Sequence, residues 1–205
     1  MMSPRRKSPL RTIAEGSYVT LVEEDGWEYV VRHGVTGIVV IVPVTDDGKL
    51  VLVEQTRTAV HNRVIELPAG MVGDEDGRRT EALADAAARE LEEETGFRAR
   101  ELVEIGRGPT AVGVSDEVVT FFEAIGLTRV GPGGGLDDED ITVHEVPLAE
   151  LHAFLAAQSA AGLAIDPKIY AGLYLSNHVG PSKGPTPPAT SSGGQSPPPL
   201  TRSRP

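Results

Sequence analysis

No cysteine occurs in the 205 residues. A disulfide framework, a thiolate zinc site and a cysteine nucleophile are therefore excluded, which leaves chemistry to oxygen and nitrogen groups. Aromatic residues make up only 4%, so a stacking surface for a planar ligand has few candidates. Cations are outnumbered, with 19 Lys and Arg against 30 Asp and Glu for a formal charge of −11. That balance excludes a nonspecific polyanion binder, because a nucleic-acid backbone is held by clustered cations that release counterions. A small phosphorylated ligand stays open if metal ions and a few placed arginines neutralise it. No apolar run approaches the roughly 20 residues of a membrane span, and the basic stretch 1–11 lacks the apolar core of a signal peptide. The expectation is a cytoplasmic protein with neither a membrane nor a nucleic-acid partner.

Strand-like runs come first along the chain. Ser17–Val22 and Trp27–Arg32 flank a hairpin turn, and Gly37–Val44 and Leu50–Gln55 flank a second at Asp46-Asp47-Gly48. A short run at Val64–Leu67 and a loop rich in Gly and Asp precede a helix over Thr80–Thr95. Strands follow at Glu101–Gly106, Val118–Ile125 and Ile141–Val146, with helices at Leu148–Ala160 and Pro167–Leu175. Strands around one central helix, closed by two more, predict an α+β fold built as an α/β/α sandwich with a mixed sheet. Composition and the strand pattern divide the chain into a disordered N-terminus (1–10), a β-hairpin region (11–35), a main folded domain (36–176) and a disordered Pro/Gly/Ser-rich tail (177–205). The Gly-rich, then acidic segment Arg129–Asp140 is either a lid or a solvated connection.

The central helix carries the densest chemistry. Thr80 is placed to cap it, and Leu83, Ala84, Ala87, Ala88 and Leu91 recur at helical spacing as its apolar stripe. At about 100° per residue, Asp85 and Glu92 point away from that stripe. Glu90, Glu93 and Glu94 share one face that overlaps its edge. Three partly desolvated like charges raise one another's pKa and call for a cation. Hard oxygen donors select a divalent ion, Mg²⁺ above others because it takes carboxylates, keeps waters and shares substrate phosphates, with Mn²⁺ able to substitute. Gly96 then ends the helix and Phe97 returns the chain to the core. The five histidines have no metal-binding spacing.

Glu81, seven residues, and then Arg89-Glu90-Leu91-Glu92-Glu93-Glu94-Thr95-Gly96-Phe97 resembles the signature of the Nudix hydrolase superfamily. That signature reads Gly, five residues, Glu, seven residues, Arg-Glu-apolar-x-Glu-Glu-x-Gly-apolar. Position 75 is Glu where the signature has Gly, and the nearest equivalent glycine is Gly70. Glu54-Gln55-Thr56-Arg57, Leu67-Pro68-Ala69-Gly70 and the segment Gly162–Ile169 are similar to the ADP-ribose and ADP-sugar pyrophosphatase branch. That branch usually carries Ser-Pro-Gly beyond the signature, and this chain has Ala111-Val112-Gly113.

The resemblance implies Mg²⁺-dependent hydrolysis of the pyrophosphate bond of ADP-ribose or a related nucleoside diphosphate sugar, giving a nucleoside monophosphate and a sugar phosphate. Its implied metal ligands are Glu90, Glu93, Glu94 and the Ala69 carbonyl. Arg89 would orient the glutamates, and Glu93 would belong to the catalytic set as well. Glu81 is either support for the ligands or a first-turn carboxylate favoured by the helix dipole. Glu139 is the implied general base, with Glu117 as rival base or additional metal-site group. For substrate, Tyr18 and Trp27 would stack on adenine, Glu28 would accept from the base, Arg32 and Arg57 would hold phosphates or ribose, and Gly70 would line the site. The N-terminal hairpin is commonly exchanged in this family, which implies a homodimer. The competing readings are hydrolysis of UDP-glucose, GDP-mannose or a dinucleotide polyphosphate, a nucleotide sensor without catalysis, and an acidic scaffold.

Overall fold

The computed structural model describes residues 9–73, 80–136 and 139–176. The expectations for 1–8, for the loop 74–79, for Asp137 and Asp138, and for the tail from 177 lie outside these described residues.

The N-terminal unit is an antiparallel sheet in the order β1 (Arg11–Glu15), β2 (Val19–Glu24) and β3 (Trp27–Arg32). The turn between β2 and β3 is only Asp25-Gly26, with φ of 56° and 81°. Two left-handed residues suit the twist of a tight hairpin, so β2 runs two residues beyond the expected Ser17–Val22. Strand β1 escapes a reading of periodicity because all five of its residues are exposed.

The rest comprises β4 (Gly37–Pro43), β5 (Lys49–Arg57), β6 (Asn62–Glu66), β7 (Ala69–Val72), α1 (Leu83–Thr95), β8 (Phe97–Pro109), β9 (Val118–Arg129), β10 (Thr142–Pro147), α2 (Leu151–Ala160), β11 (Ala164–Ile165) and α3 (Lys168–Leu175). They form two mixed four-stranded sheets, β7-β4-β9-β8 and β10-β5-β6-β11, rather than one. The β4/β9 and β6/β11 pairs are parallel and the others antiparallel. Strands β7 and β11 lie in segments that read as a turn before α1 and as the approach to α3. Both are short, and it is their partners β4 and β6 that make them strands.

The sandwich follows from the pleat, which sends alternate residues of a strand to opposite faces. Val39 and Ile41 of β4 pack with Ala86, Ala87 and Leu91 of α1. Val40 and Val42 pack with Leu151 and Leu155 of α2 and Ile169 and Leu173 of α3. A strand covered on both faces has to be apolar throughout, and that explains the unbroken run in β4.

Helix α1 departs from the expected stripe and start. Its buried residues are Ala86, Ala87, Leu91, Glu94 and Thr95, whereas Ala84 and Ala88 are exposed. The buried arc is thus rotated toward the glutamate face. Thr80 does not cap the helix: the N-cap position is Ala82, without a side-chain hydrogen bond. Glu81, just before it, faces Arg89 at 3.4 Å.

At the other end, Gly96 has the expected left-handed conformation, with φ of 73°. The last carbonyls of a helix have no partner within it. Here the segment 130–135 supplies one: Val130 and Gly131 N–H donate to the Gly96 carbonyl at 2.8 and 3.1 Å, Gly134 N–H to Glu94 at 2.8 Å, and Gly135 N–H to Glu93 at 3.0 Å. Over these residues the connection is neither lid nor solvated link, but a backbone clasp on α1. Gly133 has φ of 70°, and a Cβ there would lie 2.4 Å from the Thr95 carbonyl carbon.

Gly133→Ala is expected to lower unfolding stability by about 2 kcal/mol, from a side chain in left-handed backbone and a forced shift against Thr95. An unchanged urea midpoint would show that the clasp contributes nothing.

Candidate active site

One cleft of about 520 Å³ gathers most of the residues singled out in the sequence. Arg32 reaches it from the end of β3, Arg57 from the end of β5, and Ala69 and Gly70 from β7. Helix α1 contributes Arg89, Glu90, Glu93 and Glu94, while Glu117 and Glu139 come from the segments before β9 and β10. Tyr18, Trp27 and Glu28 are not brought in. Tyr18, in the turn between β1 and β2, is 78% exposed and Trp27, the first residue of β3, is 61% exposed; neither is in the cleft lining.

Arg89 is the hub of the acidic face. Its Nη1 donates to Glu90 at 2.8 Å and Glu93 at 3.0 Å, and its other edge faces Glu81. Burial disfavours its charge, but the surrounding carboxylates more than offset that and raise its pKa. The expected orienting role is what this geometry can perform. Gly70 gives the arrangement room, since a Cβ there would lie 2.0 Å from the Glu90 carboxyl carbon. Gly70 is therefore a space for Glu90 as much as a wall of the cleft.

Glu94 is 5% exposed and accepts a 3.1 Å hydrogen bond from the Ala69 N–H. Burial, with Glu90 and Glu139 nearby as like charges, pushes its pKa up to about 8, against the Ala69 amide and the Arg57 charge. At Ala69 the contact shown is thus through the amide, where the resemblance implied the carbonyl.

The remaining cations are paired across the cleft. Arg32 Nε donates to Glu117 at 2.6 Å. Arg57 forks onto the buried Glu66 through Nε at 2.9 Å and Nη2 at 2.6 Å. Lys168 Nζ meets Asp166. Glu94 and Glu139 have no cationic side chain in an ion pair among the described residues; Glu139 accepts only from the Leu136 N–H, at 2.9 Å. Glu66 and Lys168 are site residues the sequence reading did not assign. A glutamate within the apolar run Val64–Leu67 was the available signal, because a buried charge demands a partner.

Among the described residues no three acidic or imidazole groups converge closely enough to hold an ion as they stand. Glu90 and Glu93 are turned onto Arg89. The donor set nonetheless fits a hard divalent cation: oxygen ligands only, a buried carboxylate with no cationic side chain in an ion pair among the described residues, and Glu90 and Glu93 beside it.

The sequence matches the NUDIX domain over residues 35–165. It is 38% identical over 122 residues to an ADP-ribose pyrophosphatase of Bacillus subtilis (strain 168), covering 59% of this chain and 62% of that protein. It is 39% identical over 124 residues to an ADP-ribose pyrophosphatase of Mycobacterium tuberculosis (strain ATCC 25618 / H37Rv), covering 59% and 56%. The match thus spans about three fifths of these relatives. A crystal structure of an ADP compounds hydrolase superposes with a TM-score of 0.65 at 21% identity, over 87% of this chain and 96% of that one, and so shares the fold.

The raised pKa of Glu94 makes a testable link to stability. Between its ordinary value of 4.5 and about 8 the native state holds a proton that the unfolded chain has released, so stability falls as pH rises through that window. The difference in melting temperature between Glu94→Gln and the metal-free wild type should therefore move in favour of the variant from pH 5 to pH 8.5. MgCl₂ should stabilise the wild type more at pH 8.5 and the variant little at either pH. A difference independent of pH would refute the assignment.

Proposed function

The chain belongs to the NUDIX family, and on that footing we propose that it hydrolyses the pyrophosphate bond of ADP-ribose or a related nucleoside diphosphate sugar, giving a nucleoside monophosphate and a sugar phosphate. The observation that carries this reading is the charge pattern of the cleft. Three arginines and a lysine are held at its walls by carboxylates, while among the described residues Glu94 and Glu139 have no cationic side chain in an ion pair. Such a site takes up a diphosphate only together with divalent cations, and Mg²⁺ is the ion we assign.

Glu90, Glu93 and Glu94 would hold the cations. When bound, they would supply Lewis-acid polarisation of the phosphates and lower the pKa of a coordinated water. Arg89 keeps Glu90 and Glu93 in register. The free edges of Arg57 and Arg32 would bind phosphate or ribose oxygens, each guanidinium being already fixed by its carboxylate. Glu139 would take the proton of the attacking water as the oxygen bonds to phosphorus and the bridging anhydride bond breaks, its electrons leaving with the departing phosphate. Glu117, occupied by Arg32, is better suited to holding that arginine than to acting as base.

Adenine recognition by Tyr18, Trp27 and Glu28 belongs to this proposal through a second copy of the chain. Both aromatics are exposed, Trp27 on the N-terminal sheet and Tyr18 in its β1–β2 turn, and the segment around Val112 and Val114 beside that sheet is exposed as well. Pairing these surfaces in a homodimer would bring aromatic rings to a cleft that has none among its described lining. No helix of the described residues is long and apolar enough to cross a membrane, and a cytoplasmic location completes the reading.

The deciding experiment is a panel of ADP-ribose, UDP-glucose, GDP-mannose and diadenosine polyphosphates, assayed with and without Mg²⁺ and with products identified. AMP and ribose 5-phosphate should form from ADP-ribose only with the metal. Glu94→Gln should lose most of that turnover, by about 100-fold or more. Binding of ADP-ribose without cleavage would favour a sensor, and preferred cleavage of another member would reassign the substrate. Trp27→Ala should raise KM for ADP-ribose more than it lowers kcat; an unchanged KM would remove the stacking role.

A further inference from the structure

Glu139 sits between two fixed points. On one side, Gly135 is tied through its N–H to the Glu93 carbonyl at 3.0 Å. On the other, Asp140 accepts from Arg63 Nη1 at 2.6 Å. Arg63 lies on β6 and is absent from the cleft lining, so it has no contact there with a substrate.

We propose that Arg63 is a positioning residue for hydrolysis, holding the Glu139 carboxylate in the cleft by anchoring Asp140 to the sheet. This rests on the reading of Glu139 as general base.

An exposed ion pair ordinarily holds little, because two long side chains must be ordered in water to make it. Here the guanidinium is ordered before Asp140 arrives. Its Nε donates to Glu54 Oε1 at 2.5 Å, and its Nη2 faces the Glu54 carbonyl at 3.3 Å and Thr142 Oγ1 at 3.4 Å. Glu54 is fixed in turn, since its second oxygen is 2.9 Å from His144 Nε2 and the His144 ring packs on Phe154 with centroids 5.3 Å apart. Strands β6, β5 and β10 supply these groups side by side, with Glu54 opposite Ile65 on one flank and Thr142 on the other. A planar fork held on a sheet loses little freedom in binding one more carboxylate. Asp140, 82% exposed at its side chain, is the one partner of this fork that lies off the sheet, and it is the residue adjacent to Glu139. The three-stranded network thus reaches the cleft through a single peptide unit.

The test uses Arg63→Met, Arg63→Lys, Asp140→Asn and Glu139→Gln in the full chain, assayed with ADP-ribose and Mg²⁺. Asp140→Asn alters an exposed side chain and keeps the proposal testable should Arg63→Met fold poorly. Asp140→Asn and Arg63→Met should each lower kcat about tenfold, short of the roughly 100-fold that a misplacement of about 1 Å costs. KM and the Mg²⁺ concentration for half-maximal rate should stay at wild-type values. Arg63→Lys keeps the charge but not the fork, and should remain impaired. The double variant should be no worse than either single one, because both act on one contact. Wild-type kcat in Asp140→Asn while Glu139→Gln is inactive would overturn the positioning role and leave the base assignment standing. Full activity in Glu139→Gln would overturn the base assignment and this inference with it. Losses that add in the double variant, or that appear equally in KM, would also overturn it.

Discussion

Glu94 is a carboxylate buried at the last turn of α1, held by one backbone amide and facing other glutamates. The architecture around it is arranged to make that position tolerable. Leu91 and Ala87 fix the helix against β4, which leaves Glu94 buried at the floor of the cleft with 5% of its surface exposed. The Gly-rich clasp occupies the carbonyls of the same turn and ties down the helix end that carries Glu94. What the fold leaves undone, a bound cation would complete.

The other charged groups illustrate the complementary solution. Arg89 is surrounded by carboxylates, Arg57 by Glu66 and Arg32 by Glu117. Each guanidinium is set in place before any ligand arrives, which reduces the ordering a phosphate would have to impose. The acidic balance of the chain is consistent with this arrangement. Among the described residues the cleft is not a generally positive basin but a set of paired cations around two carboxylates, Glu94 and Glu139, that form no ion pair with a cationic side chain, a pattern that suits the phosphate-and-metal reading proposed above.

Much of the candidate site was legible because it is local. Arg89, Glu90, Glu93 and Glu94 sit within two turns of one helix, where angular spacing alone puts three glutamates on a common face at the edge of the apolar stripe. Gly96 as the stop and the apolar run that forms β4 were readable for the same reason. The start of the helix was not, because Thr80 is a good cap by type, whereas the helix begins two residues later with Ala82 at the N-cap and Glu81 facing Arg89. Ala84 and Ala88 likewise fit the stripe until the angle of packing on β4 and β7 selects Ala86 instead. β7 and β11 are too short to announce themselves, and they exist through pairing with β4 and β6.

Sequence by itself singled out the candidate residues of α1, since helical periodicity and the requirement that a buried charge find a partner are properties of the nearest few residues. It also excluded thiol chemistry outright. Tertiary structure alone decided which candidate residues meet. Arg32 comes to Glu117 and Arg57 to Glu66, while Tyr18, Trp27 and Glu28 stay outside the cleft of their own chain. It decided, too, that the Gly-rich segment caps α1 and that Arg63 reaches Asp140 across 77 residues. Such contacts depend on strand order and register, which fix distances between segments that no local spacing encodes.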